Sequence, residues 1–198
     1  MTSVAALTIV VLIVVASVAG FSSPRWLDRA VLRPYLIAHG SGYDRVFTSG
    51  FVHAGVGHLL FNLITLYSFG FALERVIGTT SFVALYLCAL VTSGIGTVIK
   101  HRGDPNYRSL GASGAILGVL FASIVYFPHS RLMMMFIPIP IPAPLFAVGY
   151  LALSYYWSRT SRDNVNHDAH IFGALTGLAY VAVTDPRAVE GLIHYLTG

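Results

Sequence analysis

The chain has 198 residues, 56% of them hydrophobic and only 10% charged, with a mean hydropathy of +0.73. A soluble domain carries about 25% charged residues, so this composition excludes an ordinary soluble globular protein, and it is too apolar for intrinsic disorder. The net charge of +4 comes from basic residues scattered between apolar runs, which fits loops at membrane surfaces and no nucleic-acid partner, and the single cysteine, Cys88, excludes an internal disulfide framework or a cysteine-based zinc site.

Six charge-poor runs predict helices near 4–20, 53–73, 77–99, 111–128, 142–157 and 167–184. A membrane span needs about 20 mostly apolar residues, and no run shows the period-two alternation of a β-barrel strand. Helices are the remaining way to satisfy the backbone in lipid. The expected fold is an all-α membrane protein, a six-transmembrane-helix bundle forming a single domain over 1–198. The first run has small residues, Ser17 and Ala19, of the kind that mark signal-peptide cleavage, but no basic region precedes it. Residues 21–50 form the longest stretch outside the spans. Glu74-Arg75 reads as a helix-end pair in a tight connection, and Asp104-Pro105-Asn106 as a turn. Met133–Met135 reads as lipid contact. Pro138, Pro140, Pro142 and Pro144 cannot continue a helix, since each lacks a donor and clashes with the preceding turn. The fifth helix is therefore short, starting near Pro142–Pro144 and ending on the interfacial anchor Tyr155-Tyr156-Trp157. The stretch 185–198 reads as a tail, with no seventh helix.

Polar side chains inside spanning segments are costly and usually functional. Four stand out: His58, Asn62, Ser113 and His170. The second, fourth and sixth helices run in one direction, and these residues lie near their starts, so all four sit at similar depth below one membrane face. Gly114-x-x-x-Gly118 and Gly173-x-x-x-Gly177 allow the fourth and sixth helices to approach closely. Such packing brings the Ser113 hydroxyl within reach of the His170 ring, the nucleophile–base arrangement of acyl transfer. The start of the fourth helix offers free N–H groups and a positive dipole end to an oxyanion. His58 and Asn62, four apart, share a face and can donate to the same oxyanion.

Each residue alone has a plainer reading. Serines in membrane helices usually bond a preceding carbonyl, histidines near helix ends are usually interfacial, and an asparagine can bridge helices. The coincidence of four on one face outweighs these. Asp168, two residues before His170, points to another face and completes no triad. His39, His101, His129, His167 and His194 read as loop or interface residues. Gly111-Ala112-Ser113-Gly114-Ala115 lacks the last glycine of G-x-S-x-G and opens a helix with no preceding strand, which excludes an α/β-hydrolase. No H-E-x-x-H occurs. His53, His58, His167 and His170 lack a carboxylate or cysteine to complete a metal site. Neither metal nor cofactor is expected.

These residues resemble the rhomboid intramembrane serine proteases. The matching pieces are His53-x-x-x-x-His58-x-x-x-Asn62, Phe61-Asn62-Leu63, Leu73-Glu74 through Gly78, Gly111-Ala112-Ser113-Gly114 and Ala169-His170-x-x-Gly173-x-x-x-Gly177, over roughly residues 43–184. The resemblance implies a six-helix core whose water-filled site cleaves transmembrane protein substrates near the membrane surface. It implies Ser113 as nucleophile and His170 as general base. It gives His58, Asn62 and the Ser113 amide the oxyanion hole, and His53 a structural role in the first loop. The stretch Arg159–Asn166 with the short fifth helix reads as a gate. Two departures stand out: Asp44-Arg45 replaces the family's frequent Trp-Arg, and Leu117 replaces an aromatic four residues after the serine. The alternative is a rhomboid-like pseudoprotease that binds or escorts membrane proteins; loss of Ser113 or His170 would favour it, and both are present. A secondary transporter would want midplane polar groups and repeats.

Partners are transmembrane substrates and lipids, in a multi-pass protein expected in the plasma membrane. The resemblance implies an active site opening to the outer side. The basic residues oppose it: Arg25, Arg29, Arg33, Arg45, Lys100, Arg102, Arg108, Arg159 and Arg162 lie on the active-site side, against Arg75, Arg131 and Arg187 on the other. The family orientation is preferred, because some of the nine can serve the first loop's fold.

Overall fold

The computed structural model describes residues 3–134, 137–161, 163 and 165–198. Met135 of the methionine run and Arg162 of the basic count lie outside them, and the Met134 side chain is not described. Helix α1 spans Val4–Ser22. Three short helices follow in the long first loop: α2 (Pro24–Ala30), α3 (Pro34–Ala38) and α4 (Arg45–Thr48), the last continued by a 3₁₀ turn over Ser49–Phe51. Then come α5 (Val56–Ile77), α6 (Thr79–His101) and α7 (Ser113–Tyr126). A hairpin, β1 (Arg131–Met134) and β2 (Ile137–Pro142), leads into α8 (Ala143–Thr160), α9 (His167–Thr184) and α10 (Pro186–Thr197).

By length and composition, α1, α5 and α6 are long and apolar enough to cross a membrane, and α7 is a shorter apolar helix. Helix α7 is the hub. Every residue from Gly114 to Val125 is buried, which its all-round apolar sequence requires. Its 14 residues reach about 21 Å at 1.5 Å each, less than the roughly 30 Å of a hydrocarbon core. Its first residue, Ser113, is half-buried among the neighbouring helices. Two apolar clusters surround it. One joins α1, α5, α6 and α7 through Ile13, Leu66, Phe82, Leu85, Tyr86 and Val119. The other joins α7 to α8 through Leu117, Phe121, Phe146 and Tyr150.

Three local readings change. The all-α expectation misses the hairpin, which pairs Arg131 with Pro142 and Leu132 with Ile141. In Ile137–Pro142 every second residue is proline; the period of two puts the missing donors on one edge and leaves the isoleucine amides for pairing. Glu74 is no surface helix-end partner of Arg75 but is buried, accepting from the Ala5 and Ala6 amides at 3.0 and 2.8 Å and from Thr79 Oγ1 at 2.9 Å. It caps the first turn of α1 from a distance, where the orphan N–H groups and positive dipole end favour a carboxylate. Finally, the tail forms the amphipathic α10, with Ala188, Val189 and Leu192 packed on the core.

Candidate active site

The site is built where α5, α7 and α9 begin. Gly111 turns the chain into α7 with φ +121°, a conformation L side chains rarely adopt. Its amide donates to Ser49 O at 2.9 Å. A Cβ there would lie 2.7 Å from His58 Cε1, so only glycine lets the His58 ring rest against this turn. The next amide, Ala112 N, donates to His53 Nε2 at 3.3 Å, while His53 Nδ1 lies 2.9 Å from Ser17 Oγ, which donates to Phe51 O. Because Nε2 accepts, the network assigns the proton to Nδ1. His53 thus ties the residue before Ser113 to α1.

Helix α9 is fixed by its own start. Asn166 Oδ1 caps it by accepting from Ala169 N at 3.0 Å. The same side chain donates to Thr97 Oγ1 and Ser109 Oγ, both at 2.9 Å, anchoring α9 to α6 and to the loop between α6 and α7. Lys100 Nζ donates to Asp168 at 2.7 Å and to Ser158 O at 3.1 Å, so Asp168 faces α6, away from the site. Before the helix, the Ser161 hydroxyl and then the Val165 amide hold the Asp163 carboxyl below the usual range, beside a buried His167 whose Nε2 is 3.2 Å away. His167 is therefore packed inside, not at an interface.

The α7–α9 seam is a backbone contact. A Cβ on Gly173 would lie 1.9 Å from Gly114 O, and one on Gly177 would lie 2.1 Å from Gly118 O. Across this seam His170 Nε2 sits 2.8 Å from Ser113 Oγ. Among the described residues the α7 N-terminus has no side-chain cap, which leaves its first amides without an intrahelical partner beside Ser113.

His58 and Asn62 lie on the same flank, and neither makes a hydrogen bond to Ser113 or His170 among the described residues. Buried Asn62 donates through Nδ2 to His58 O at 2.9 Å, leaving one amide N–H. Two contacts were missed from the sequence. Arg45 Nη1 donates to Asp28 O and Val31 O at 2.7 and 2.8 Å, so Arg45 anchors the first loop. Tyr150 of α8 places its hydroxyl 3.1 Å from His170 Nδ1. It occupies the flank of the histidine while Leu117 packs into the cluster beneath. A signal for it existed: a tyrosine inside an apolar helix must find a partner for its hydroxyl.

A family model described as the Rhomboid domain matches residues 40–187. Rhomboid protease GluP of Bacillus subtilis is 33% identical over 77% of this chain and 28% of its own length. The human presenilin-associated rhomboid-like protein, mitochondrial, is 34% identical over 67% of this chain and 36% of its own length. YdcA of Bacillus subtilis is 31% identical over 77% of this chain and 72% of its own length. The chain thus spans well under half of the first two relatives. It belongs to the rhomboid family and is an integral, multi-pass membrane protein with an all-α bundle fold. Several relatives are named mitochondrial, so the expectation of a plasma membrane is not supported.

Proposed function

From that membership, we propose that the chain is an intramembrane serine endopeptidase acting on transmembrane protein substrates near the membrane surface. One observation carries the reading: the 2.8 Å contact of Ser113 Oγ with His170 Nε2 at the start of the buried central helix. His170 takes the hydroxyl proton as Ser113 attacks a substrate carbonyl. The Ser113 amide, the free N–H of Asn62 and the His58 ring stabilise the oxyanion. His170 then delivers its proton to the leaving amine and activates the water that hydrolyses the acyl-enzyme. His53 holds the turn that aims Ser113. Helix α8, with the described residues of 159–166, forms the gate on one side, and α8 suits it because it buries only Ala143 and Ser154.

The preferred orientation opens the site to the outer side. Four of the nine basic residues that oppose it are structurally engaged: Arg33 and Arg108 with Asp28, Arg45 with backbone carbonyls, and Lys100 with Asp168. Residues bound into the fold are poor reporters of topology.

The test is reconstitution with a transmembrane substrate together with fluorophosphonate labelling. Wild type should cleave and label, and Ser113→Ala should do neither while staying folded in detergent. Cleavage by purified Ser113→Ala would remove the assignment. Binding of a substrate by a wild-type protein that neither cleaves nor labels would favour the pseudoprotease.

A further inference from the structure

We infer that Tyr150 is a positioning residue for His170, accepting a hydrogen bond from Nδ1–H and so keeping Nε2 free to take the Ser113 proton. The inference rests on the proposed serine protease reading. A neutral imidazole carries one N–H, and which nitrogen holds it is set by the partner of the other. With the proton on Nε2, the ring would donate to Ser113 Oγ and could not act as its base. With the proton on Nδ1, that N–H needs an acceptor in a site walled by helices. Among the described residues the acceptor within hydrogen-bond distance is Tyr150 Oη, at 3.1 Å. No carboxylate serves, since Asp168 is held by Lys100.

The phenol is held in place by aromatic neighbours. Its ring lies between Phe146, stacked at 5.6 Å, and Phe121, edge-on at 6.0 Å. Ser154, one turn further along α8, is buried beneath the same stretch of helix. The other titratable groups near His170 are His167 on its own helix, with rings 6.0 Å apart, Asp163 before that helix, and His58 on α5. None of them makes a hydrogen bond to Nδ1. The contact also crosses between helices, so the orientation of the base depends on where α8 stands.

The experiment compares wild type with Tyr150→Phe, which removes one oxygen and keeps the ring packing. With a transmembrane substrate, kcat should fall about 3–10-fold, the worth of one neutral hydrogen bond, with KM unchanged. The fluorophosphonate labelling rate of Ser113 should fall by the same factor. Equal kcat and labelling in the two proteins would overturn the inference while leaving the protease reading intact, whereas a wild type that never labels would instead defeat that reading. Should Tyr150→Phe unfold, the tautomer can be read in wild type by ¹⁵N spectroscopy of labelled histidine, with the His170 signals identified by their loss in His170→Gln. A proton on Nδ1 supports the role, and a proton on Nε2 overturns it.

Discussion

Helix α9 meets two neighbours in opposite ways. Against α7 it packs backbone to backbone, glycine on glycine, with no room for a methyl group. Against α8 it is met by aromatic side chains from a helix that buries only two residues. The nucleophile comes from the tight side, and the group touching the far nitrogen of His170 comes from the loose side. Distances set by backbone contact cannot drift, because close-packed interiors lack the space. Those set by a side chain on a poorly buried helix can. The Ser113–His170 contact is therefore built in, while the Tyr150–His170 contact is conditional on α8.

The largest effect should come from breaking the tight side. Gly173→Ala adds one methyl whose carbon would sit 1.9 Å from Gly114 O. The obstacle is backbone, which no rotamer change removes, so the helices must separate. Overpacking of this kind costs about 3 kcal/mol or more, and a chain of this size should lose roughly 6–12 °C in Tm. Activity should vanish with it. A Gly173→Ala protein with wild-type Tm and cleavage would show that the seam opens freely.

Much of this seam was legible in the sequence. Glycines four apart beside both Ser113 and His170 are a local pattern, and the charge-poor runs mark their helices without tertiary knowledge. Glu74 was not legible, because its partners are amides 68 and 69 residues away, and no local spacing encodes a remote cap. Tyr150 failed for a related reason: its hydroxyl advertised a need for a partner but not which one. In the proline-rich run the break in helix could be read, whereas the hairpin required knowing that Leu132 and Ile141 would meet.

Asn62 tests the chemistry flanking the tight side. Asn62→Ala should lower kcat by about 100–1000-fold, as losing one oxyanion donor costs roughly 2.7–4 kcal/mol, with little change in KM. His58→Ala should fall in the same range. Full kcat in both variants would assign the oxyanion to the α7 amides alone.

Glu74 provides a control remote from both neighbours of α9. Glu74→Ala strands the Ala5 and Ala6 amides, which should cost about 1.5–3 kcal/mol and be seen as a lower Tm. Because the polar contacts of α1 with the site run through Ser17, to His53 and to Phe51 O, and not through Glu74, kcat of the folded fraction should stay within about twofold of wild type, well under one hydrogen bond's worth. A collapse of kcat at unchanged Tm would mean that α1 transmits position to the turn before Ser113 more strongly than these contacts suggest.

The smallest effect is expected from repeating the glycine-to-alanine change on the loose side. Gly149 lies mid-helix in α8, next to Tyr150, and a Cβ there would meet nothing within 4 Å. Alanine is the better helix former by up to about 1 kcal/mol in a helix interior, so Gly149→Ala should leave Tm unchanged or slightly raised. Cleavage should persist, because no contact of Tyr150 with His170 is altered. The same methyl group that is intolerable at Gly173 should thus be silent 24 positions earlier, which isolates packing from helix propensity as the cause. Loss of cleavage in Gly149→Ala at wild-type Tm would be the informative failure. It would mean that α8 closes against another element during turnover, at the face the glycine keeps bare, and that the loose side is tight in the state that reacts.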